Sequence, residues 1–422
     1  MDEREDWASA AGSVAAAAVT GLGLSDFRCH RRLRLDLGGA GAALAPVVLV
    51  GDNGSGKTSV LEAVSLLAPG RGLRRARLAD LARRAADGRV APAWSVAARL
   101  RTPTGAFDVT TGWAGDGEGG GDRRQLKVDG QPARSLAVLA EAYAVLWLTP
   151  EMDRVFAEGT GARRRFLDRL VLALDPAHAA RLHAYERAMH ERATLLRQGR
   201  ADPGWLAALE ENMASAGVAI VAARRETAQR LSRVADNRAD PFPAATLAAA
   251  GVVETWLDEA PALAVEDRLR DALAAARRND GETGTTAVGP HRSDLDVRHA
   301  RTGRPAAASS TGEQKMLLIA IVLASADVQG SLKGTAPLLL LDEVAAHLDR
   351  RHRLALFDRV GRLGAQAWYT GTDREVFRAL EGAARFVPLA PRTETAAVHR
   401  LPVSPRFDGL NENNKERETP DE

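Results

Sequence analysis

Val47-Val48-Leu49-Val50-Gly51-Asp52-Asn53-Gly54-Ser55-Gly56-Lys57-Thr58 decides how this chain is read. From Gly51 to Thr58 it matches the pattern Gly-x-x-x-x-Gly-Lys-Ser/Thr. Glycines at the turn let backbone N–H groups close around phosphate oxygens without a side chain in the way. Lys57 is placed to reach the outer phosphates as a compact charge, and the Thr58 hydroxyl to meet Mg²⁺. Asn53, Gly54, Ser55, Gly56 and Ser59 complete the candidate loop contacts. The setting agrees. The apolar Val47–Val50 run precedes the loop as a strand, and Ser59-Val60-Leu61-Glu62-Ala63-Val64 continues as a helix whose positive end faces the loop.

The partner of such a loop lies about 285 residues downstream. Leu338-Leu339-Leu340-Leu341-Asp342-Glu343 reads as a buried strand ending in two acids. A buried parallel strand delivers its C-terminal side chains to the ligand edge of an α/β sheet. Asp342 is expected to hold Mg²⁺ and Glu343 to act as the general base on water, with Lys57 sharing the catalytic role. An isolated apolar strand with an acidic turn is the plainer alternative, and its pairing with the loop argues against it.

Outward from these segments, the composition is that of a globular α/β chain. The 422 residues carry 57 basic and 55 acidic side chains, a net charge of +2. That balance argues against a wholly basic coat protein and leaves local basic patches open. The single cysteine, Cys29, excludes an intrachain disulfide and a Cys-x-x-Cys metal site, and a reducing cytoplasm fits. Only five of the 57 basic residues are lysine: Lys57, Lys127, Lys315, Lys333 and Lys415. A lysine in this chain is therefore informative. Residues 7–25 are uncharged but mostly Ala, Gly, Ser and Val, which makes a poor membrane span.

The pattern divides the chain. Residues 1–20 read as a disordered Ala-rich leader and 403–422 as a disordered polar tail. Residues 21–155 mix short apolar runs with Gly-rich breaks, including strands over Val96–Val128 and a flexible tip at Gly115–Gly121. Residues 156–285 are helical, cut by Pro176, Pro203, Pro241 and Pro243. Residues 286–402 return to strand–helix alternation, with a second strand at Ala367–Tyr369.

Ser309-Ser310-Thr311-Gly312-Glu313-Gln314-Lys315, ahead of an apolar helix, resembles the signature segment of ATP-binding-cassette ATPases. That resemblance implies that Ser310 and Gly312 cap the γ-phosphate bound by a partner subunit. Ser310 with Glu313 three residues on also fits a simple capping box. Asp349, after Ala346-His347-Leu348, matches the cassette loop that faces the dimer partner, and Thr370 stands where such ATPases usually carry a switch histidine. Halved into two arms, the roughly 125 inserted residues would reach less than roughly 95 Å each. Without sustained heptads they imply a compact lobe rather than a coiled coil. The expected fold is an α/β, ABC/SMC-type phosphate-loop ATPase head with an inserted compact helical lobe.

Several segments together resemble the RecF family of DNA replication and repair proteins, from about Leu22 to about Leu389. They are Asp26-Phe27-Arg28, the phosphate loop with Leu61-Glu62-Ala63, Gly70-Arg71, and Thr149-Pro150-Glu151. Arg163-Arg164-Arg165-Phe166-Leu167-Asp168, Gly289-Pro290-His291-Arg292 and Leu341-Asp342-Glu343-Val344 with Leu348-Asp349 complete the set. Ser293, Glu313 and His347 depart from the family's usual Asp, Gln and Glu. The resemblance implies a weak DNA-dependent ATPase using ATP and Mg²⁺. It implies an ATP-dependent homodimer that binds double-stranded and gapped DNA, works with RecR and RecO, and helps load RecA. A cytoplasmic location and no membrane are expected. Two alternatives are another short SMC-like cassette ATPase and a nucleotide-gated protein scaffold that binds no DNA. An overcoming-lysogeny ATPase needs a nuclease domain, for which the roughly 73 residues after Asp349 are too few.

DNA contacts are sought among Arg71, Arg74, Arg75 and Arg77, with Arg83 and Arg84 close by. Phosphate contacts from such a cluster give sequence-independent, salt-sensitive affinity. Arg163, Arg164 and Arg165 form a second run that could face DNA, the nucleotide or another subunit. Phe27-Arg28 is expected beside the nucleotide. Gly289-Pro290-His291-Arg292 has no role that its residues alone define.

Overall fold

A computed structural model describes residues 15–38, 44–115, 124–133, 143–199, 202–236 and 241–390. The chain enters through β1 (Ala15–Ala16) and β2 (Ala18–Phe27), then turns into β3 (His30–Asp36). β4 (Val47–Val50), the phosphate loop and α1 (Lys57–Ser65) follow. β5 (Ala93–Thr102), β6 (Gly105–Ala114), β7 (Gln125–Val128) and β8 (Gln131–Pro132) precede β9 (Val145–Leu148). Three helices come next: α2 (Thr160–Leu174), α3 (His178–Gln198) and α4 (Pro203–Asp236). They lead to β10 (Ala245–Ala250), α5 (Val252–Glu259), α6 (Ala262–Thr283) and β11 (Asp294–His299). The chain closes with α7 (Thr311–Lys333), β12 (Thr335–Ala336), β13 (Leu338–Leu341), α8 (Arg350–Arg362), β14 (Ala367–Gly371) and β15 (Arg385–Pro388).

A five-stranded parallel sheet, ordered β15-β4-β14-β13-β9, carries the candidate site. Its strands are short continuous apolar runs because both faces are covered. Leu338–Leu341 is buried throughout. The register sets Leu341 beside both Leu148 and Tyr369, and Thr370 beside Leu49. The carboxyl ends of β4, β14, β13 and β9 therefore deliver four things to one edge: the phosphate loop, Thr370, Asp342-Glu343 and Thr149-Pro150-Glu151.

One hydrophobic core lies between this sheet, α2, α7, α8 and the end of α4. A second joins the sheet's other face and α1 to the antiparallel sheet β3-β2-β5-β6-β7-β8. A third belongs to the helical lobe, where Tyr185, Met213, Val218, Val265, Leu269 and Leu273 pack together. Helix α4 serves two cores: Met213 and Val221 sit in the lobe, Ala228 and Leu231 in the head. Helices Pro203–Ala235 and Thr311–Lys333 are long and apolar enough to cross a membrane by length and composition. The apolar windows of the two are 50% and 67% buried inside the chain, and packing accounts for that apolarity.

Two boundaries differ from the sequence reading. Residues 15–20, assigned there to the disordered leader, are ordered strand: Ala15 and Ala16 pair with Thr335 and Ala336, and Ala17, Ala18 and Val19 are fully buried. The 156–285 stretch, read as helical throughout, contains β10, which pairs antiparallel with β11 from Ala245↔His299 to Ala250↔Asp294. Alanine is too weakly apolar to declare a strand by alternation, so both were illegible. Residues 1–14 of the leader, most of the Gly115–Gly121 tip and the 403–422 tail lie outside the described residues.

Candidate functional site

Gly51 enters the loop with its N–H donated to Gly371 O, and a Cβ there would lie 2.3 Å from Leu389 O. Gly54 and Gly56 have φ of 83° and 95°, the left-handed region that favours glycine. At Gly56 the need is double, since a Cβ would come within 2.5 Å of Cys29 Sγ and His30 Nε2. The β2–β3 turn thus rests directly on the loop. Lys57 Nζ donates to Gly51 O at 2.7 Å and Asp52 O at 2.9 Å, which folds the ammonium back over the loop. Asn53 and Gly54 are exposed at the tip, and Ser59 is buried beneath it near Cys29. Ser55 Oγ is buried with no hydrogen-bond partner among the described residues. A buried orphan hydroxyl in a ring of backbone N–H groups suits an anionic oxygen.

The acid strand closes the site from the other side. Thr58 Oγ1 donates to Asp342 Oδ1 at 3.1 Å across a separation of 284 residues. Thr370, fully buried, donates to the same oxygen at 2.7 Å and accepts the Glu343 N–H at 2.8 Å. Burial pushes the Asp342 carboxyl above its ordinary value. Hydrogen bonds from Thr370 and Thr58 oppose that rise, and the charges of Glu343 and Glu151 reinforce it. Crowded acids beside a hydroxyl are the hard-oxygen donor set that fits Mg²⁺. Glu343 itself has φ 53°, a strained value for a residue with a side chain. Its carboxylate makes no hydrogen bond among the described residues.

Ser310 and Gly312 lie apart from this cluster, at the start of α7. Ser310 forms the full capping box: its Oγ accepts the Glu313 N–H, and Glu313 Oε2 accepts the Ser310 N–H at 2.9 Å. The Ser310 N–H and the Ser310 hydroxyl, at 2.9 and 3.1 Å, both donate to Glu313 Oε2 and hold that carboxyl below its ordinary value. Gly312 and Asp349 line one cleft of about 460 Å³ with Glu313, His347 and His352. No phosphate-loop residue lines it. Asp349 caps α8 through the His352 N–H, and this bond and the one to the His352 ring lower its carboxyl pKa.

Among the candidate DNA-contacting residues, Arg71, Arg74, Arg75 and Arg77 are all exposed. Arg74 reaches within 4.0 Å of Glu62, and the other three make no side-chain bond among the described residues. Arg83 pairs with Asp26. The run at 163–165 is different. Arg163 grips Asp294 through two bonds of 2.8 Å, and Arg164 donates to Ser293 O, so only Arg165 is exposed. Phe27 is a core residue set edge-on against Trp94, and Arg28 is turned onto Glu62 with bonds of 2.7 and 2.6 Å.

The segment Gly289-Pro290-His291-Arg292 gains a structural role. Arg224 donates to Asp168 Oδ1 and Oδ2 at 2.7 and 2.9 Å, and to Pro290 O at 2.6 Å. His291 bonds Tyr185 Oη and Thr286 O. This buried joint ties α2 and α3 to the turn before β11. No sequence signal pointed to Arg224, one arginine among many on a helix.

Parallel strand order, loop, acid pair and helical insert define a phosphate-loop ATPase head of the ABC/SMC type. A family model described as the RecF/RecN/SMC N terminal domain matches residues 39–389. The DNA replication and repair protein RecF of Mesorhizobium japonicum is 47% identical over 372 residues, covering 87% of this chain and 95% of that one. RecF of Rhizobium rhizogenes is 47% identical over 374 residues, covering 88% and 96%. Among solved structures, the recombination mediator protein RecF-ATP in the RecFOR pathway superposes with a TM-score of 0.74 at 20% identity, covering 89% of this chain and 98% of that one. The chain belongs to the RecF family.

Proposed function

We propose that this chain is a RecF-type ATPase of DNA replication and repair that dimerises around two ATP molecules and clamps duplex DNA beside gaps. The carrying observation is the Thr58–Asp342 hydrogen bond, which brings the phosphate loop and the acid strand into one site. Relatives at 47% identity along nearly their whole length are named DNA replication and repair protein RecF, which supports the replication and repair part of this reading.

In this reading the loop N–H groups, Ser55 Oγ and Lys57 hold the phosphates, with Asn53, Gly54, Gly56 and Ser59 shaping the loop. Thr58 and Asp342 hold Mg²⁺, which neutralises charge on the phosphate oxygens. Glu343 orients water and takes its proton. Thr370 locks Asp342 and the Glu343 backbone together. Ser310, Gly312 and Asp349 face the partner subunit's nucleotide. Arg71, Arg74, Arg75 and Arg77 contact DNA phosphates, which makes affinity fall with salt. Hydrolysis is slow and stimulated by DNA. RecR and RecO are the working partners in the bacterial cytoplasm, and RecA loading is the outcome. Residues 21–155 and 286–402 form the head around a lobe within 156–285, and residues 15–20, α2 and β10 pack with the head.

Sizing the protein with and without ATP–Mg²⁺, and with and without gapped duplex, tests this. Glu343→Gln should give a stable ATP-dependent dimer that retains gapped DNA, and Lys57→Ala should remain monomeric. DNA affinity indifferent to both ATP and salt would sink the clamp.

A further inference from the structure

The ends of the nucleotide chemistry in one chain, the acid pair and the signature helix, are linked by a short route the proposed function leaves unused. Asp342 donates its N–H to Leu148 O at 2.9 Å, so the acid strand is clamped to the end of β9. Beyond Leu148 the chain passes buried Thr149 into a 3₁₀ turn, Pro150–Arg154. Arg169 of α2 steadies that turn: its guanidinium lies 4.9 Å from the Trp147 ring centroid and donates to Met152 Sδ. From the turn, Asp153 Oδ2 accepts Lys315 Nζ at 2.9 Å, with the Lys315 side chain only 10% exposed. Lys315 lies in the first turns of α7, directly after Ser310 and Gly312.

We infer that the Lys315–Asp153 ion pair is a positioning contact that carries the state of a chain's own nucleotide site to the signature segment it offers to its partner's nucleotide. This rests on the dimer reading above. The links run strand to strand by a ladder bond, strand to turn by the chain, and turn to helix by the ion pair, within the packing of α7 against the turn and β9. Chain composition points the same way. Fifty-two basic residues are arginine, yet this position holds one of five lysines. Lysine meets one carboxylate oxygen as a point charge, where arginine would bring a planar fork needing two acceptors. The lysine end of the pair is 10% exposed and the aspartate end 32%, so salt screens it less than a fully exposed bridge.

The test uses the full chain in the Glu343→Gln background, read by light scattering against ATP concentration. Lys315→Met and Asp153→Asn should each bind a fluorescent ATP analogue within about twofold of the parent. Each should need about tenfold more ATP to dimerise, an ordinary scale for coupling between sites. The charge swap, Lys315→Asp with Asp153→Lys, should recover most of that loss. Single variants that dimerise at the parent's ATP concentration, or a swap as defective as the singles, would overturn the inference. A pair that only stiffens the fold would lower the unfolding temperature and leave dimerisation of the folded fraction unchanged, which also overturns it. Hydrogen exchange on the unmutated chain, kept too dilute to dimerise, covers variants that fail to fold. ATP should slow exchange in both 150–154 and 311–316, and slowing confined to the first segment counts against the link. A Glu343→Gln parent that never dimerises sinks the dimer reading and this inference together.

Discussion

Replacing Arg224 by methionine should unfold the joint between lobe and head at a cost that depends on pH. The side chain is 2% exposed, and methionine keeps most of its stem packed. What goes is the guanidinium, with two bonds to Asp168 and one to Pro290 O. Asp168 keeps His178 at 2.9 Å but becomes a buried carboxylate without its cation. Breaking such a pair from one side costs about 3–5 kcal/mol, a large share of the roughly 5–15 kcal/mol that holds a domain folded.

The sign of the pH effect follows from Asp168. Burial alone would raise its pKa, but bonds from His178 and Arg224 and their charges outweigh burial, so the carboxyl titrates below its ordinary value. A lowered folded pKa gives stability that is complete above the unfolded value near 3.9 and lost as pH falls through the folded one. Without Arg224, burial dominates and the carboxyl pKa rises. The deficit of Arg224→Met should therefore be largest at neutral pH and shrink as pH falls through the variant's raised folded pKa and on to the parent's lowered one, since the unfolded carboxyl is common to both chains and cancels. Urea midpoints followed by far-ultraviolet circular dichroism at several pH values measure this. Adding Asp168→Asn should return part of the loss, because the stranded charge is gone. A neutral-pH deficit under about 1 kcal/mol, within reach of an ordinary surface change, would refute the joint. A deficit constant with pH would refute its electrostatic origin.

Thr370→Val keeps the buried shape but removes the hydroxyl shared by Asp342 and the Glu343 N–H. It should lower kcat about tenfold or more, roughly 1.4 kcal/mol, with KM for ATP unchanged and Thr370→Ser restoring the rate in a phosphate-release assay. Asp342→Asn should abolish Mg²⁺-dependent hydrolysis yet stabilise the nucleotide-free chain by about 0.5–2 kcal/mol in thermal unfolding. The raised folded pKa of Asp342 makes its charged form a cost at neutral pH, relieved as pH falls toward the unfolded value. Gly289→Ala sets a Cβ 2.2 Å from Tyr185 Oη at φ 136° and should cost about 1–3 kcal/mol, seen as a lower urea midpoint.

Legibility in the sequence tracked how local each signal was. The phosphate loop and the acid strand are continuous runs, each recognisable from its own residues, although Thr58 and Asp342 meet across 284 residues. The arginines at 163 and 164 looked like a surface run because their partners stand 131 and 129 residues off. Charge read along the chain cannot tell a solvated face from an internal ion pair. β1, the start of β2 and β10 were hidden in alanine, whose burial is dictated by the strand beside it rather than by its own hydrophobicity. Lys315 was marked by rarity alone, and its acid appears only when the 3₁₀ turn is folded against α7.

The placement of the three cores has a mechanical consequence. The lobe is fastened to the first core, which also holds α7, by helix α4, whose residues serve both cores, and by the bonds of Arg224 to Asp168 of α2 and to Pro290 O. The phosphate-loop helix belongs to the second core, on the opposite face of the parallel sheet. A force on the lobe therefore reaches the signature helix through α4 and the Arg224–Asp168 ion pair. To reach the phosphate loop it must cross the parallel sheet, whose strands β4, β13 and β14 face both cores, and at the carboxyl edge of that sheet Thr58 and Thr370 meet at one oxygen of Asp342. That edge is also where Glu343 holds its strained backbone. The lobe, despite its size, is therefore expected to move with the signature helix as one body.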